Sequence, residues 1–102
     1  MDWNSLNNTA ILQEIGNRIK SYRLRANLTQ KEMAERAGIS LFTVTKLERG
    51  GPVSLSMLIP VLRVLRQLDN LDLLLPVAGP SPVQMLRHKG RMPQRVRPKT
   101  KA

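Results

Sequence analysis

The stretch that decides the fold lies at residues 28–50, which run LTQKEMAERAGISLFTVTKLERG. Thr29 and Glu32 have the spacing of a capping box, in which each side chain accepts a hydrogen bond from the other residue's backbone amide. A short helix is therefore predicted over residues 29–37. Gly38 follows it and can adopt the positive φ angle that often ends a helix.

The next ten residues, 40–49, are compatible with two structures. Residues 39–45 are rich in β-branched and aromatic side chains, which is typical of a strand. Helical spacing instead places Val44 and Leu47 on one face, and Ser40 is a good N-cap for such a helix. Local sequence alone leaves the choice between strand and helix open.

The spacing Gln30-x3-Ala34-x3-Gly38-x5-Val44 is typical of a helix-turn-helix. Ala34 is small where the two helices would cross, and Gly38 would form the turn between them. Val44 would pack the second helix into the core and leave its opposite face free for a DNA groove. Gln30 would stand at a helix N-terminus, where backbone and side-chain donors can hold a phosphate.

Three further helices are predicted outside this stretch, over residues 9–26, 55–67 and 70–75. Asn8 or Thr9 is expected to cap the first of them. The expected core stripe of the second consists of Leu55, Leu58, Leu62 and Leu65. Pro60 interrupts that helix and predicts either a kink or a helix that begins only a few residues before it.

The composition excludes several classes of function. The chain has 102 residues and no cysteine, which rules out disulfide scaffolds, thiol nucleophiles and zinc fingers. A single histidine and seven acidic residues argue against an enzyme, a metal site or a bound cofactor. No segment has the length of a membrane span and no secretory signal opens the chain, so a cytoplasmic protein is expected.

The formal net charge of +10 is unevenly distributed. Residues 1–86 hold ten basic and all seven acidic residues, whereas residues 87–102 hold seven basic residues and no acid. This excess predicts a polyanionic partner, most simply nucleic acid rather than a membrane. A folded DNA-binding domain is predicted over residues 8–76, followed by an appendage at 77–102 whose basic end, 91–102, is expected to be disordered.

Several groups of residues between Ile15 and Leu65 together resemble the Cro/repressor-type (XRE) helix-turn-helix family. They are Ile15-Gly16-x-Arg18-Ile19, Tyr22-Arg23, Leu28-Thr29-Gln30-x-Glu32-Met33-Ala34, Ala37-Gly38-Ile39-Ser40, Val44-x-x-Leu47-Glu48-Arg49-Gly50, and Leu55 to Leu65. The resemblance implies an all-α, five-helix, lambda-repressor-like domain. Such a domain binds double-stranded operator DNA as a homodimer, with its third helix in the major groove. The resemblance also favours a helix over 40–49, and an internal ion pair between Arg23 and Glu48.

The resemblance assigns the DNA contacts to two helix starts and one helix face. The candidate residues are Thr29, Gln30, Ser40, Leu41, Phe42, Thr43, Thr45, Lys46 and Arg49. Leu41 and Phe42 could meet thymine methyl groups, or could instead fill contacts between helices. Lys46 is expected to contact a guanine or a phosphate, and Arg49 a phosphate.

Residues 66–98 resemble the HipB-type regulators that accompany HipA-type kinase toxins. This implies an autorepressor on the antitoxin side of a toxin–antitoxin operon, with a HipA-like kinase as partner. The leucines of residues 70–77 are expected to form the homodimer contact, although they could instead close the chain's own core. The alternatives are a phage or restriction–modification controller without a toxin partner, and a module that mainly neutralises a toxin by direct contact.

Overall fold

The computed structural model describes residues 1–78, and this part of the chain is helical without strands. Its five α-helices are α1 (Asn8–Arg25), α2 (Gln30–Ala37), α3 (Leu41–Glu48), α4 (Leu55–Val64) and α5 (Leu71–Leu74). Short 3-10 turns lie at Trp3–Ser5 and Leu68–Asn70. The prediction of an all-α, five-helix domain is confirmed, including the helix over the ambiguous stretch at 40–49.

The chain divides into two units after Leu71. The first, residues 1–71, contains α1 to α4 and the beginning of α5. Of the second unit the structure describes residues 72–78. The basic end at 91–102 and most of the predicted appendage at 77–102 lie outside the described residues.

The first helix is capped by Asn7, one residue before the predicted caps. The Asn7 side chain accepts a hydrogen bond from the Ala10 amide at 2.8 Å, and Asn7 itself has extended backbone angles. The expectation of Asn8 or Thr9 as the cap is therefore wrong. Both already lie inside α1, where their backbones are helical and cannot serve as the half-in flanking residue.

The start of α2 and the turn between α2 and α3 both follow the predicted chemistry. The Thr29 amide donates to the Glu32 carboxylate at 2.8 Å, and the Glu32 amide donates to the Thr29 hydroxyl at 3.0 Å. Gly38 ends α2 with a φ of 71°. Ser40 then caps α3 by accepting a hydrogen bond from the Thr43 amide at 3.0 Å. The capping box thus fixes the start of α2, and Gly38 and Ser40 together define the turn from α2 into α3.

The core lies between α1, α2, α3 and α4. Its buried apolar residues are Ile19, Met33, Ala34, Val44, Leu47, Val61 and Leu65. Pro60 lies in the second turn of α4. Of the two predicted alternatives, a kink or a helix that begins only a few residues before the proline, the second is confirmed. Leu55 was expected in the core but is exposed, and Val61 is buried instead. At 100° per residue Leu55 lies about 120° around the helix from Val61, which turns it away from α2.

A close approach of α1 and α3 depends on Gly16. A Cβ atom at this position would lie 2.6 Å from the Leu47 carbonyl oxygen and 2.7 Å from that of Glu48. The absence of a side chain therefore lets the end of α3 rest directly on α1. The contact sets the closest distance between the end of α3 and α1.

Candidate nucleic-acid interface

Helix α3 buries one face and exposes the other. Val44, Leu47 and Glu48 are buried, as their spacing predicted. Leu41 and Phe42, on the other side, are 48 % and 73 % exposed. Neither side chain belongs to the core cluster of the described residues. They form an apolar surface at the N-terminal end of α3.

The buried end of α3 is tied to α1 by an ion pair. Arg23 Nε donates to Glu48 Oε2 at 2.6 Å, and Arg23 Nη2 donates to Glu48 Oε1 at 3.0 Å. The third nitrogen, Nη1, donates to the Leu28 carbonyl at 2.8 Å. Both charged side chains are buried, so the family-based expectation of an internal ion pair is confirmed.

A hydrogen-bond network continues from this ion pair toward the exposed side of α3. The Gln30 Nε2 donates to Glu48 Oε1 at 3.0 Å. The single hydrogen of the Thr45 hydroxyl has two acceptors within reach, Gln30 Oε1 at 3.3 Å and the Leu41 carbonyl oxygen at 3.0 Å. The network links α1, α2 and α3 through polar side chains only. We name Arg23, Glu48, Gln30 and Thr45 the polar network.

The family resemblance implied the ion pair between Arg23 and Glu48, but its extension through Gln30 and Thr45 was not predicted. A weak signal existed, because Thr45 precedes Glu48 by three residues and both therefore lie on neighbouring parts of one helix face. Gln30 was considered only as a phosphate contact. Its amide nitrogen carries two hydrogens, and the bond to Glu48 uses one of them.

The small hydroxyl residues of the candidate set lie at the N-termini of α2 and α3. Thr29 caps α2 and Ser40 caps α3. The Ser40 and Thr43 hydroxyls are 2.8 Å apart and hydrogen-bonded to each other. The backbone and hydroxyl bonds from Thr29 hold the pKa of Glu32 below its ordinary value. These residues place two helix N-termini on the same part of the molecule as the exposed face of α3.

The C-terminal half of α3 borders an open depression of about 410 Å³. It is lined by Phe42, Thr45, Lys46, Arg49, Gly50 and Gly51. The Lys46 Nζ lies 5.9 Å from the centre of the Phe42 ring, within the range of a cation–π contact. A Cβ atom on Gly51 would come within 2.6 Å of Lys46 Cγ, so this glycine leaves room for the lysine stem.

The nine candidate residues therefore occupy one continuous region of the first unit. Seven lie on α3 or at its two ends, and Thr29 and Gln30 begin the neighbouring α2.

Two structural features that would indicate a different class of protein are lacking within residues 1–78. No three acidic, histidine or cysteine side chains gather there as a metal site would require, and no helix is long and apolar enough to span a bilayer.

Two helices joined by a glycine turn, the second exposing a mixed apolar and cationic face, define a helix-turn-helix DNA-binding domain. The sequence model of the helix-turn-helix family matches residues 19–69, which is half of the chain. The chain therefore belongs to the XRE-type helix-turn-helix family and is a DNA-binding transcriptional regulator. No curated protein matches the chain.

Proposed function

We propose that the protein binds a specific operator by placing the exposed face of α3 in the major groove of double-stranded DNA. Leu41, Phe42, Thr45 and Lys46 then face the base edges. Ser40, Thr43 and Arg49 lie at the two ends of α3, and Thr29 and Gln30 begin α2, where they meet the phosphates on either side. Phosphate contacts fix the register of the protein, and base contacts select the sequence.

The observation that carries this proposal is the division of α3 into a buried and an exposed face. Leu41 and Phe42 are large apolar side chains left in solvent at the start of the helix, and Lys46 stands beside them. Glu48, on the buried side of the same helix, is held by Arg23 of α1 and Gln30 of α2. A helix held this firmly can present side chains to DNA with little loss of conformational entropy on binding.

We further propose that the protein acts as a homodimeric repressor of its own operon. Leu73, Leu74 and Leu75 are 67–80 % exposed within the described residues. Contiguous exposed leucines are typical of a protein interface, which supports the contact predicted at residues 70–77. A two-fold dimer would cover two half-sites about one helical turn of DNA apart.

The proposed operon partner is a HipA-like kinase, with this chain as the antitoxin-side component. Support comes from the resemblance of residues 66–98 to HipB-type regulators. Regulation would then act through a bound protein. Co-purification of the chain with the product of the neighbouring gene, with and without operator DNA, tests this part.

A footprint on the protein's own promoter tests the operator proposal. The expected result is protection of two inverted half-sites whose centres lie about one helical turn apart. Protection that follows protein concentration but no particular sequence would contradict a specific operator. A single protected half-site at saturating protein would contradict the dimer while leaving the assignment of α3 intact.

A further inference from the structure

The exposed face of α3 offers DNA two apolar side chains and one ammonium group. Phe42 is the more exposed of the two apolar residues, and the Lys46 Nζ lies 5.9 Å from its ring centre. The two salt bridges within residues 1–78 join Arg18 to Glu14 and Arg23 to Glu48. In this part of the chain the Lys46 charge is therefore not neutralised by an acidic side chain.

The hydroxyl groups of α3 are already engaged inside the protein. The Thr45 hydroxyl donates its hydrogen within the protein, to the Leu41 carbonyl or to Gln30 Oε1. Ser40 and Thr43 share a hydrogen bond, and Ser40 also caps the helix. Base contacts from this face therefore fall chiefly to Phe42, Leu41 and Lys46, which narrows the chemistry that the face can recognise.

The major groove presents a limited set of matching groups. An apolar side chain gains there from the 5-methyl group of thymine, and an ammonium group pairs with O6 and N7 of guanine. The 5-methyl group of 5-methylcytosine projects into the same groove and offers the same apolar surface. Successive base pairs are about 3.4 Å apart, so the separation of Lys46 from Phe42 spans one to two base steps.

We propose that this face selects a pyrimidine carrying a 5-methyl group, contacted by Phe42, within two base pairs of a guanine contacted by Lys46. This inference rests on the proposed function, because it requires α3 to lie in the major groove. The cationic residues next to Phe42 favour DNA, rather than an apolar protein, as the partner that binds this face. Lys46 and Arg49 line the same depression as Phe42, and burying them against an apolar surface would cost their hydration.

The test begins with duplexes enriched by the full-length protein from a randomised library. Each thymine of the enriched half-site is replaced in turn by deoxyuridine, which removes only the methyl group. One position is expected to bind about four-fold more weakly, the value of one buried methyl. At that position C·G and 5-methyl-C·G pairs are then compared, to learn whether methylcytosine substitutes for thymine.

Protein variants assign the methyl contact to its residue. Phe42→Ala should bind the thymine and deoxyuridine duplexes equally, whereas Leu24→Ala, at an exposed leucine of α1, should keep the four-fold difference. Lys46→Ala should lose its preference for guanine within two base pairs of that position. Phe42 is exposed, so its truncation leaves the core intact.

The possible outcomes distinguish a failure of this inference from a failure of the proposed function on which it rests. Failure to enrich any duplex would contradict the operator proposal itself. Enrichment with no effect of deoxyuridine at any thymine, or with an effect that persists in Phe42→Ala, would overturn the inference alone. If 5-methylcytosine restores binding, the face accepts either methylated pyrimidine, and if it does not, the selected base is thymine.

Discussion

The Arg23 guanidinium holds the Glu48 carboxylate through two hydrogen bonds, of 2.6 and 3.0 Å, inside the protein. This pair joins α1 to the C-terminal end of α3. Through Glu48 it also reaches Gln30 and Thr45, so one buried charge pair orients the helix that we place on DNA. A buried ion pair contributes little net stability when complete, but breaking it leaves an uncompensated charge.

Replacing Glu48 by glutamine should therefore destabilise the fold by about 3–5 kcal/mol, because Arg23 stays buried without a counter-charge. Chemical denaturation measures this loss. The matched control is Glu14→Gln, which breaks the partly exposed pair with Arg18 and should cost less than about 1 kcal/mol. Equal effects of the two substitutions would show that the Arg23–Glu48 pair is not the anchor of α3.

Replacing Gly16 by alanine should destabilise the protein by roughly 1–3 kcal/mol. A loss of stability would be informative, because alanine inside a helix normally stabilises a protein relative to glycine by roughly 0.5–1 kcal/mol. Here the new Cβ would meet the backbone oxygens of Leu47 and Glu48, which cannot move aside as a side-chain end could. A melting temperature equal to or above that of the parent would contradict the close approach of α1 and α3.

The capping box predicts a specific loss of stability in acid. Hydrogen bonds from Thr29 lower the pKa of Glu32 in the folded protein below the ordinary value of 4.5. The stabilisation is therefore complete above that value and is lost as the pH falls through the lower folded-state pKa. Glu32→Gln keeps a hydrogen-bond acceptor but does not titrate.

The difference in melting temperature between the parent and Glu32→Gln, followed by circular dichroism from about pH 6 to about pH 3, isolates this contribution. The parent should lose more stability than the variant over that range. Parallel curves would mean that the Glu32 carboxylate does not act as a charged cap in solution.

Local chemistry explains which parts of the fold the sequence predicts well. The capping box at Thr29 and the left-handed turn at Gly38 involve residues close in the chain, so a short stretch is enough to identify them. Residues 39–45 are rich in strand-forming side chains, yet residues 41–45 lie in α3. Burial of Val44 and Leu47 against the other helices overrides that local preference. Their helical spacing left the choice open, and the family resemblance favoured the helix.

The remaining features depend on distances that no local pattern encodes. Gln30 bonds to Glu48 across eighteen positions of the chain. The local sequence shows only that Gln30 begins a helix. It therefore could not predict that the Gln30 amide turns inward toward Glu48. The exposure of Leu55 has a similar origin, because the buried face of α4 is set by where α2 packs and not by the spacing of its leucines.

The basic residues beyond the described part of the chain predict a salt effect. Arg91, Arg95, Arg97, Lys99 and Lys101 can each neutralise a phosphate. Changing all five to glutamine should reduce the slope of log affinity against log salt by up to about 4–5 units per chain, at roughly −0.9 per phosphate. The preference for the operator over a scrambled duplex should remain. An unchanged slope would rule out phosphate contacts by this tail.

The central claim, that the exposed face of α3 selects the operator, is tested most directly by comparing two alanine variants with matched controls. Leu41→Ala and Lys46→Ala should each weaken operator binding by roughly 1–3 kcal/mol without changing the melting temperature. Leu24→Ala and Lys20→Ala remove the same side chains from the exposed surface of α1 and should bind operator like the parent. If all four variants bind the operator equally well, α3 is not the helix that selects it.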